Sequence, residues 1–260
     1  MKLTAYVKGL WKHRFLLNEL VIRGIRLRYR RSYLGIVWSL IEPIMTTIVL
    51  TIVFGTLFGN TNKDFPLYII IGRLMFSFFQ EATKGACRAI RANAGMIKKV
   101  YVPKYFYPLS SILFNFIIFL ISLVVLIPTS IYTGTVPTLR IWRIIPAIIY
   151  LLILAIGIGM ILSTLNVFFR DIEYLWNVAL LIIMYMSAIF YYPERLLKSG
   201  WYWILKYNPM FCIIDLARSG VLNYSADLWT FLYPLGFGLV SLVIGIIFFK
   251  KQQDRFILHI

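Results

Sequence analysis

The stretch Leu34-Gly35-Ile36-Val37-Trp38-Ser39-Leu40-Ile41-Glu42-Pro43-Ile44-Met45-Thr46-Thr47, continuing through Ile48-Val49-Leu50 to Phe58, decides the fold. Over these 25 residues Glu42 is the only ionisable side chain. A helix of that length rises ~37 Å, more than the ~30 Å hydrocarbon core of a bilayer requires. Immediately before it stand Arg23, Arg26, Arg28, Arg30 and Arg31. An apolar span with arginines crowded at one end is the pattern of a membrane helix whose basic flank stays in the cytoplasm.

Working outward, the same pattern recurs. Spans are expected at 34–58, 66–80, 105–127, 144–168, 175–191 and 231–249, which makes an all-α integral membrane chain of six transmembrane helices in one domain, 1–260. The second span is short, carries Arg73 and has room to extend helically into the cytoplasm; Pro128 is expected to end the third, and Lys250-Lys251 closes the last. Residues 1–32 read as a cytoplasmic amphipathic and basic segment. Leu3, Val7, Leu10, Trp11, Leu17 and Val21 share one helical face opposite Lys8, Lys12 and Glu19, with Arg14 interrupting the stripe. Such a helix lies either in the membrane interface or against other protein, and the pattern serves both. Residues 192–228 are aromatic and broken by Pro193, Gly200, Pro209 and Gly220, too polar to span and too apolar for a solvated loop. Re-entrant helices in the outer leaflet are expected there.

Composition agrees with lipid as the solvent. Of 260 residues 60% are hydrophobic and 14% charged, and the mean hydropathy is +0.80. A water-soluble fold of this size would need more polar surface. The net charge of +17 does not indicate nucleic acid, because Lys and Arg sit beside the apolar spans, where they meet anionic lipid headgroups. With the N-terminus inside, nine of them precede Leu34, six lie between Glu81 and Lys104, one is Arg170 and three follow Phe249. Only Lys63, Arg140, Arg143, Arg195, Lys198, Lys206 and Arg218 fall outside. This asymmetry puts both termini in the cytoplasm. Cys87 and Cys212 then lie on opposite sides and are not expected to pair, and Met1 to Ser32 lacks the continuous apolar stretch of a cleavable signal peptide.

Catalytic chemistry is thinly represented. No G-x-x-x-x-G-K-[ST] phosphate-binding loop occurs, and His13 and His259, the only histidines, stand at opposite ends. Neither a histidine metal cluster nor a histidine general base is expected. Asp171 and Glu173 form the one close acidic pair, at the cytoplasmic end of the fourth span. They suit either metal binding in a membrane transferase or, as favoured, a structural turn that Arg170 and Asp171 fix by salt bridges. Glu42 and Arg73 are charges within apolar spans and must face protein or water; this topology puts Glu42 nearer the inner side and Arg73 nearer the outer, which argues against a contact. The loop 81–104 contains a short basic helix, Ala86 to Val100, suited to docking a soluble partner or to contacting lipid headgroups.

Four short motifs carry a resemblance. Arg30-Arg31-Ser32-Tyr33-Leu34-Gly35-Ile36-Val37-Trp38-Ser39-Leu40 with Pro43 resembles the start of the first span of ABC-2 type export permeases. Asn93-Ala-Gly-Met-Ile97-Lys98-Lys99-Val100-Tyr-Val-Pro103 resembles their first cytoplasmic loop, Leu165-Asn166-Val-Phe-Phe-Arg170-Asp171-Ile172 their turn between spans four and five, and Tyr207-Asn208-Pro209-Met210 their last external loop. Among these permeases the chain is most similar to exporters of lipid-linked polysaccharide, such as O-antigen and cell-wall glycans. The resemblance implies a homodimer in the bacterial cytoplasmic membrane, each subunit engaging a separate ATPase subunit that binds ATP and Mg, with no cofactor in this chain. It makes Ala86, Arg88, Arg91, Asn93, Ile97, Lys98 and Lys99 candidates for ATPase docking. Trp38, Glu42, Arg73, Tyr185, Phe190 and Tyr191 become candidates for the channel lining. Arg73 departs from the family, which commonly has an apolar or aromatic residue there, and is expected to meet a lipid pyrophosphate or an acidic glycan. The alternatives are a membrane transferase acting on lipid-linked sugars and a permease of the same family carrying a drug or small lipid.

Overall fold

The computed structural model describes residues 14–30, 32–58, 62–99, 102–136, 138–194 and 200–259. The amphipathic pattern of residues 1–13 lies outside them, as do Arg31, Val100, Arg195 and Lys198. The described residues are helical, joined by turns.

Helix α1, Arg14–Tyr29, carries most of the basic run within it. It packs on α5, Phe106–Ser122, where a Cβ on Gly24 would come within 3.0 Å of the Phe114 ring. The described part of the N-terminal segment is therefore docked on protein. A 3-10 turn, Gly35–Val37, leads into α2, Trp38–Phe58; Gly35 opens that turn at φ 52, a conformation L side chains avoid.

The second span is part of a longer helix, the extension for which the sequence left room. Phe65–Ala92 is one helix, α3, of 28 residues, and the separate basic helix expected from Ala86 does not exist. Only the turn Ala94–Ile97, α4, follows it. Helix α3 tolerates Arg73, Gln80 and Glu81 because protein, not lipid, surrounds most of it: 18 of its residues are buried. Nor does Pro128 end the next span. Helix α5 continues through a 3-10 turn, Leu123–Val125, into α6, Leu126–Thr133, and Gly134 stops it at φ 75. Pro128 falls in the first turn of α6, where a backbone N–H has little intrahelical work.

A 3-10 turn, Leu139–Arg143, precedes α7, Ile144–Phe168. Helix α8, Ile172–Tyr185, stops six residues short of the expected Tyr191, and the chain then turns through Ala188 at φ 47. In the stretch expected to be external lie α9, Tyr202–Lys206, and α10, Pro209–Val221. The Asn208 side chain accepts from the Met210 and Phe211 N–H groups and Pro209 needs no partner, so Asn208-Pro209 is a helix start. Helix α11, Leu228–Gln252, a 3-10 turn Gln253–Arg255 and α12, Phe256–His259, complete the chain.

Four segments are long and apolar enough to cross a membrane: Gly35–Leu57, Phe106–Thr133, Leu139–Phe168 and Leu228–Arg255. Helices α3 and α7 form the centre, with α2, α5, α8 and α10 around α3. Helix α11 crosses α7 at small residues, where a Cβ on Gly157 or on Gly245 would meet the opposite backbone at 2.5 Å. In lipid, where no hydrophobic effect drives helices together, such close approach supplies the attraction.

Candidate functional site

Helices α2, α3 and α5 enclose a cavity of about 380 Å³ whose lining is polar although the helices are apolar. From α3 come Arg73, Ser77, Gln80 and Glu81, spaced to share one helical face. Trp38, Ser39 and Glu42 come from α2, Asn115 and Ser122 from α5, and Arg28 from α1. Glu42 and Arg73 therefore line one cavity, although the expectation that they make no contact holds. No ion pair joins them among the described residues. Arg28 instead donates to Asn115 Oδ1 at 3.0 Å and lies 4.0 Å from Glu81.

Pro43 shapes the wall. Lacking an N–H, it cannot bond the carbonyl four residues earlier, that of Ser39. The Ser122 hydroxyl lies 3.0 Å from that carbonyl and 2.9 Å from the Ile118 carbonyl of its own helix, and shares its one proton between them.

The remaining channel-lining candidates do not reach this cavity. Phe190 is 5% exposed and stacks on Phe54 with ring centroids 5.0 Å apart. Tyr185 is exposed, and the Tyr191 hydroxyl donates to its carbonyl at 2.9 Å; the pair forms a separate aromatic group beside Phe190.

Arg218 was missed as a structural residue, having been counted among the external topological charges. Its side chain is fully buried. It donates to the carbonyls of Tyr68, Ala188 and Ile189 at 3.1, 3.0 and 3.2 Å and lies over the Tyr68 ring. Gly72 makes room for it, since a Cβ there would stand 2.6 Å from Nη2. The Tyr68 hydroxyl also reaches the Ala188 carbonyl, at 3.0 Å. A buried charge of this kind is retained only with such complete hydrogen bonding. The sequence signal was Arg218 in an apolar helix facing a glycine in another.

Residues 16–222 match the sequence profile of the ABC-2 type transporter family. The chain belongs to that family. It is 29% identical to the O-antigen export system permease protein RfbA of Klebsiella pneumoniae, over 93% of this chain and 95% of that protein. It is 27% identical to the RfbA of Myxococcus xanthus, over 78% and 79%, and 24% identical to the polysialic acid transport protein KpsM of Escherichia coli, over 91% and 93%.

In this ABC-2 transporter chain the Leu165–Ile172 motif and the residue after it meet the far end of α3. Asn166 Nδ2 donates to the Cys87 carbonyl at 2.8 Å, and Arg88 forms an ion pair with Glu173. The expected Arg170–Asp171 salt bridges are absent among the described residues, both side chains being exposed. The turn is held instead by backbone bonds, with the Tyr174 and Leu175 N–H groups donating to the Asp171 carbonyl at 3.0 Å. Glu173 thus serves α3, and no cluster of three acidic, Cys or His side chains converges among the described residues.

The docking candidates divide by burial. Ala86 is fully buried and Ile97 is 8% exposed, so neither presents a surface. Asn93 closes α3 by donating to the Ala89 carbonyl at 2.8 Å. Lys98 and Lys99 are exposed beyond it, with Arg91 half-buried. Cys87 and Cys212 are both buried free thiols.

Proposed function

We propose that this chain is the membrane permease subunit of an ATP-driven exporter that moves lipid-linked polysaccharide, of the O-antigen, capsule or cell-wall type, out of the bacterial cytoplasm. The observation that carries this reading is the agreement of full-length relatives named for O-antigen export and polysialic acid transport with a polar cavity in an otherwise apolar helical chain. Hydroxyls, amides and opposite charges suit a hydroxyl-rich chain, which exchanges hydrogen bonds with water for bonds to such groups.

In this reading α3 and α8 complete six spans with the four apolar segments, both termini are cytoplasmic, and α9 and α10 are re-entrant. Two copies form the permease, and two ATPase subunits, holding ATP and Mg, dock at Arg91, Lys98 and Lys99. Helix α3 joins the docking end to the cavity without a break. Arg73 and Ala92 are ~28 Å apart along it at 1.5 Å per residue, so movement of the docked ATPase is transmitted to the cavity wall as a rigid displacement. The Arg88–Glu173 pair couples the same end to α8.

The test is affinity purification of the chain from its native membranes in mild detergent with an ATPase assay. A stoichiometric partner bearing a phosphate-binding loop, with ATP hydrolysis, supports the reading. A chain that purifies alone, under conditions where control transporter complexes survive, contradicts it.

A further inference from the structure

A second cavity, of about 330 Å³, lies where α1 crosses α3 and α5. Two glycines help open it. A Cβ on Gly85 would collide with the Ser111 hydroxyl, and one on Gly24 would press on Phe114. Tyr107 lines the space; its side chain is 2% exposed, and its hydroxyl is buried with no hydrogen-bond partner. Buried polar groups are nearly always paired, so an orphaned hydroxyl marks a place for a ligand atom. Arg23 lines the same cavity and has no ion pair among the described residues, whereas Arg88, on the opposite wall, is held by Glu173. Leu20, Leu27 and Phe114 supply an apolar flank.

An unpaired guanidinium, an unpaired hydroxyl and an apolar flank together fit an amphiphilic anion. We propose that this cavity binds the phosphate diester of an anionic membrane phospholipid: Arg23 neutralises the charge, Tyr107 donates to a phosphate oxygen, and Leu27 and Phe114 meet the start of the acyl chains. A bound lipid would then fasten α1 to the end of α3 that carries the Arg88–Glu173 pair. The inference uses only the geometry of this cavity, so its failure would leave the export reading standing.

The experiment places the purified chain, with any co-purifying ATPase, in nanodiscs of mixed phosphatidylglycerol and phosphatidylcholine. Native mass spectrometry then counts the lipids retained. The wild-type chain is expected to keep one phosphatidylglycerol in preference to phosphatidylcholine. Tyr107→Phe, which removes only the hydroxyl, should lower that occupancy roughly tenfold, as loss of a hydrogen bond to a charged group does. Arg23→Gln, at an exposed position where folding is not at stake, should lower it at least as much. Arg26→Gln, on the same helix but outside the cavity, should not change it. Equal retention in Tyr107→Phe and Arg23→Gln would overturn the proposal. So would equal loss in Arg26→Gln, which would mean diffuse charge attraction; displacement by millimolar inorganic phosphate, which would mean a free anion; or displacement by added ATPase subunit, which would make the cavity a protein contact.

Discussion

The Ser122 hydroxyl donates to the Ser39 carbonyl at 3.0 Å, on the backbone group that Pro43 leaves without its helical partner. A proline in a helix is tolerated when a neighbouring element satisfies the carbonyl it frees, and here a second helix does so at the cavity wall. Ser122→Ala should therefore cost about 1–2 kcal/mol of stability. Pro43→Ala restores the intrahelical N–H, so the double variant should recover most of that loss. Thermal unfolding of the four proteins in one detergent checks the cycle; independent, additive effects would show that the two residues are not coupled.

Gly72 and Arg218 make a second coupled pair. A methyl at position 72 would overlap the guanidinium, with a contact of 2.6 Å, and displacing that group breaks up to three hydrogen bonds to buried carbonyls. Gly72→Ala should destabilise the chain by more than about 2 kcal/mol. Arg218→Met should be comparably damaging, and in its background Gly72→Ala should cost much less. The check is the amount of monodisperse protein recovered and its melting temperature.

Arg88 and Glu173 call for the opposite balance. Their side chains are 55% and 27% exposed, and a pair so open to solvent contributes less than ~1 kcal/mol to stability. Alanine at either position should leave folding and ATPase binding intact while uncoupling hydrolysis from export. Exchanging the charges, Arg88→Glu with Glu173→Arg, should restore coupling in part. ATP hydrolysis and export measured on the same preparation distinguish this from a purely structural role, in which both would fall together.

Arg73 and Glu42 face the cavity without pairing with each other, so neutralising them removes charge from the cavity and little from the fold. Arg73→Leu and Glu42→Gln should each fold normally and lower export roughly tenfold, the effect of losing one charged contact of ~1.4 kcal/mol. Unchanged export in a well-folded Arg73→Leu variant would remove Arg73 from the pathway.

What the sequence made legible followed from physical period and length. The span at 144–168 and the apolar stretch from 34 to 58 were readable because hydropathy is a local property, whereas Asn208-Pro209, read as a break and a loop motif, proved to be a helix start. The far end of helix α3 was read as a separate basic helix because its polar residues suggested water, while in the fold Arg73, Ser77, Gln80 and Glu81 line a cavity and the helix runs on unbroken. Arg218 was read as an external charge because positive-inside counting treats every arginine as exposed to solvent, whereas its three carbonyl partners come from residues 29 to 150 positions away. Phe190 and Tyr191, adjacent in sequence, part company at a turn with Ala188 at positive φ that no periodicity announces. The polar stripe Arg73, Ser77, Gln80 and Glu81 was present in the sequence at helical spacing, and its meaning became clear once Glu42 and Asn115 were found opposite it.

Export of lipid-linked polysaccharide by this chain is tested most directly by depleting the chain in its own host. The lipid-linked glycan is then quantified at the cell surface and on the cytoplasmic face of the membrane. Surface polysaccharide is expected to disappear and its lipid-linked precursor to accumulate inside, both reversed fully by the wild-type chain and only in part by Arg73→Leu. Surface glycan that stays at its normal level on depletion, with no precursor accumulating, would contradict it.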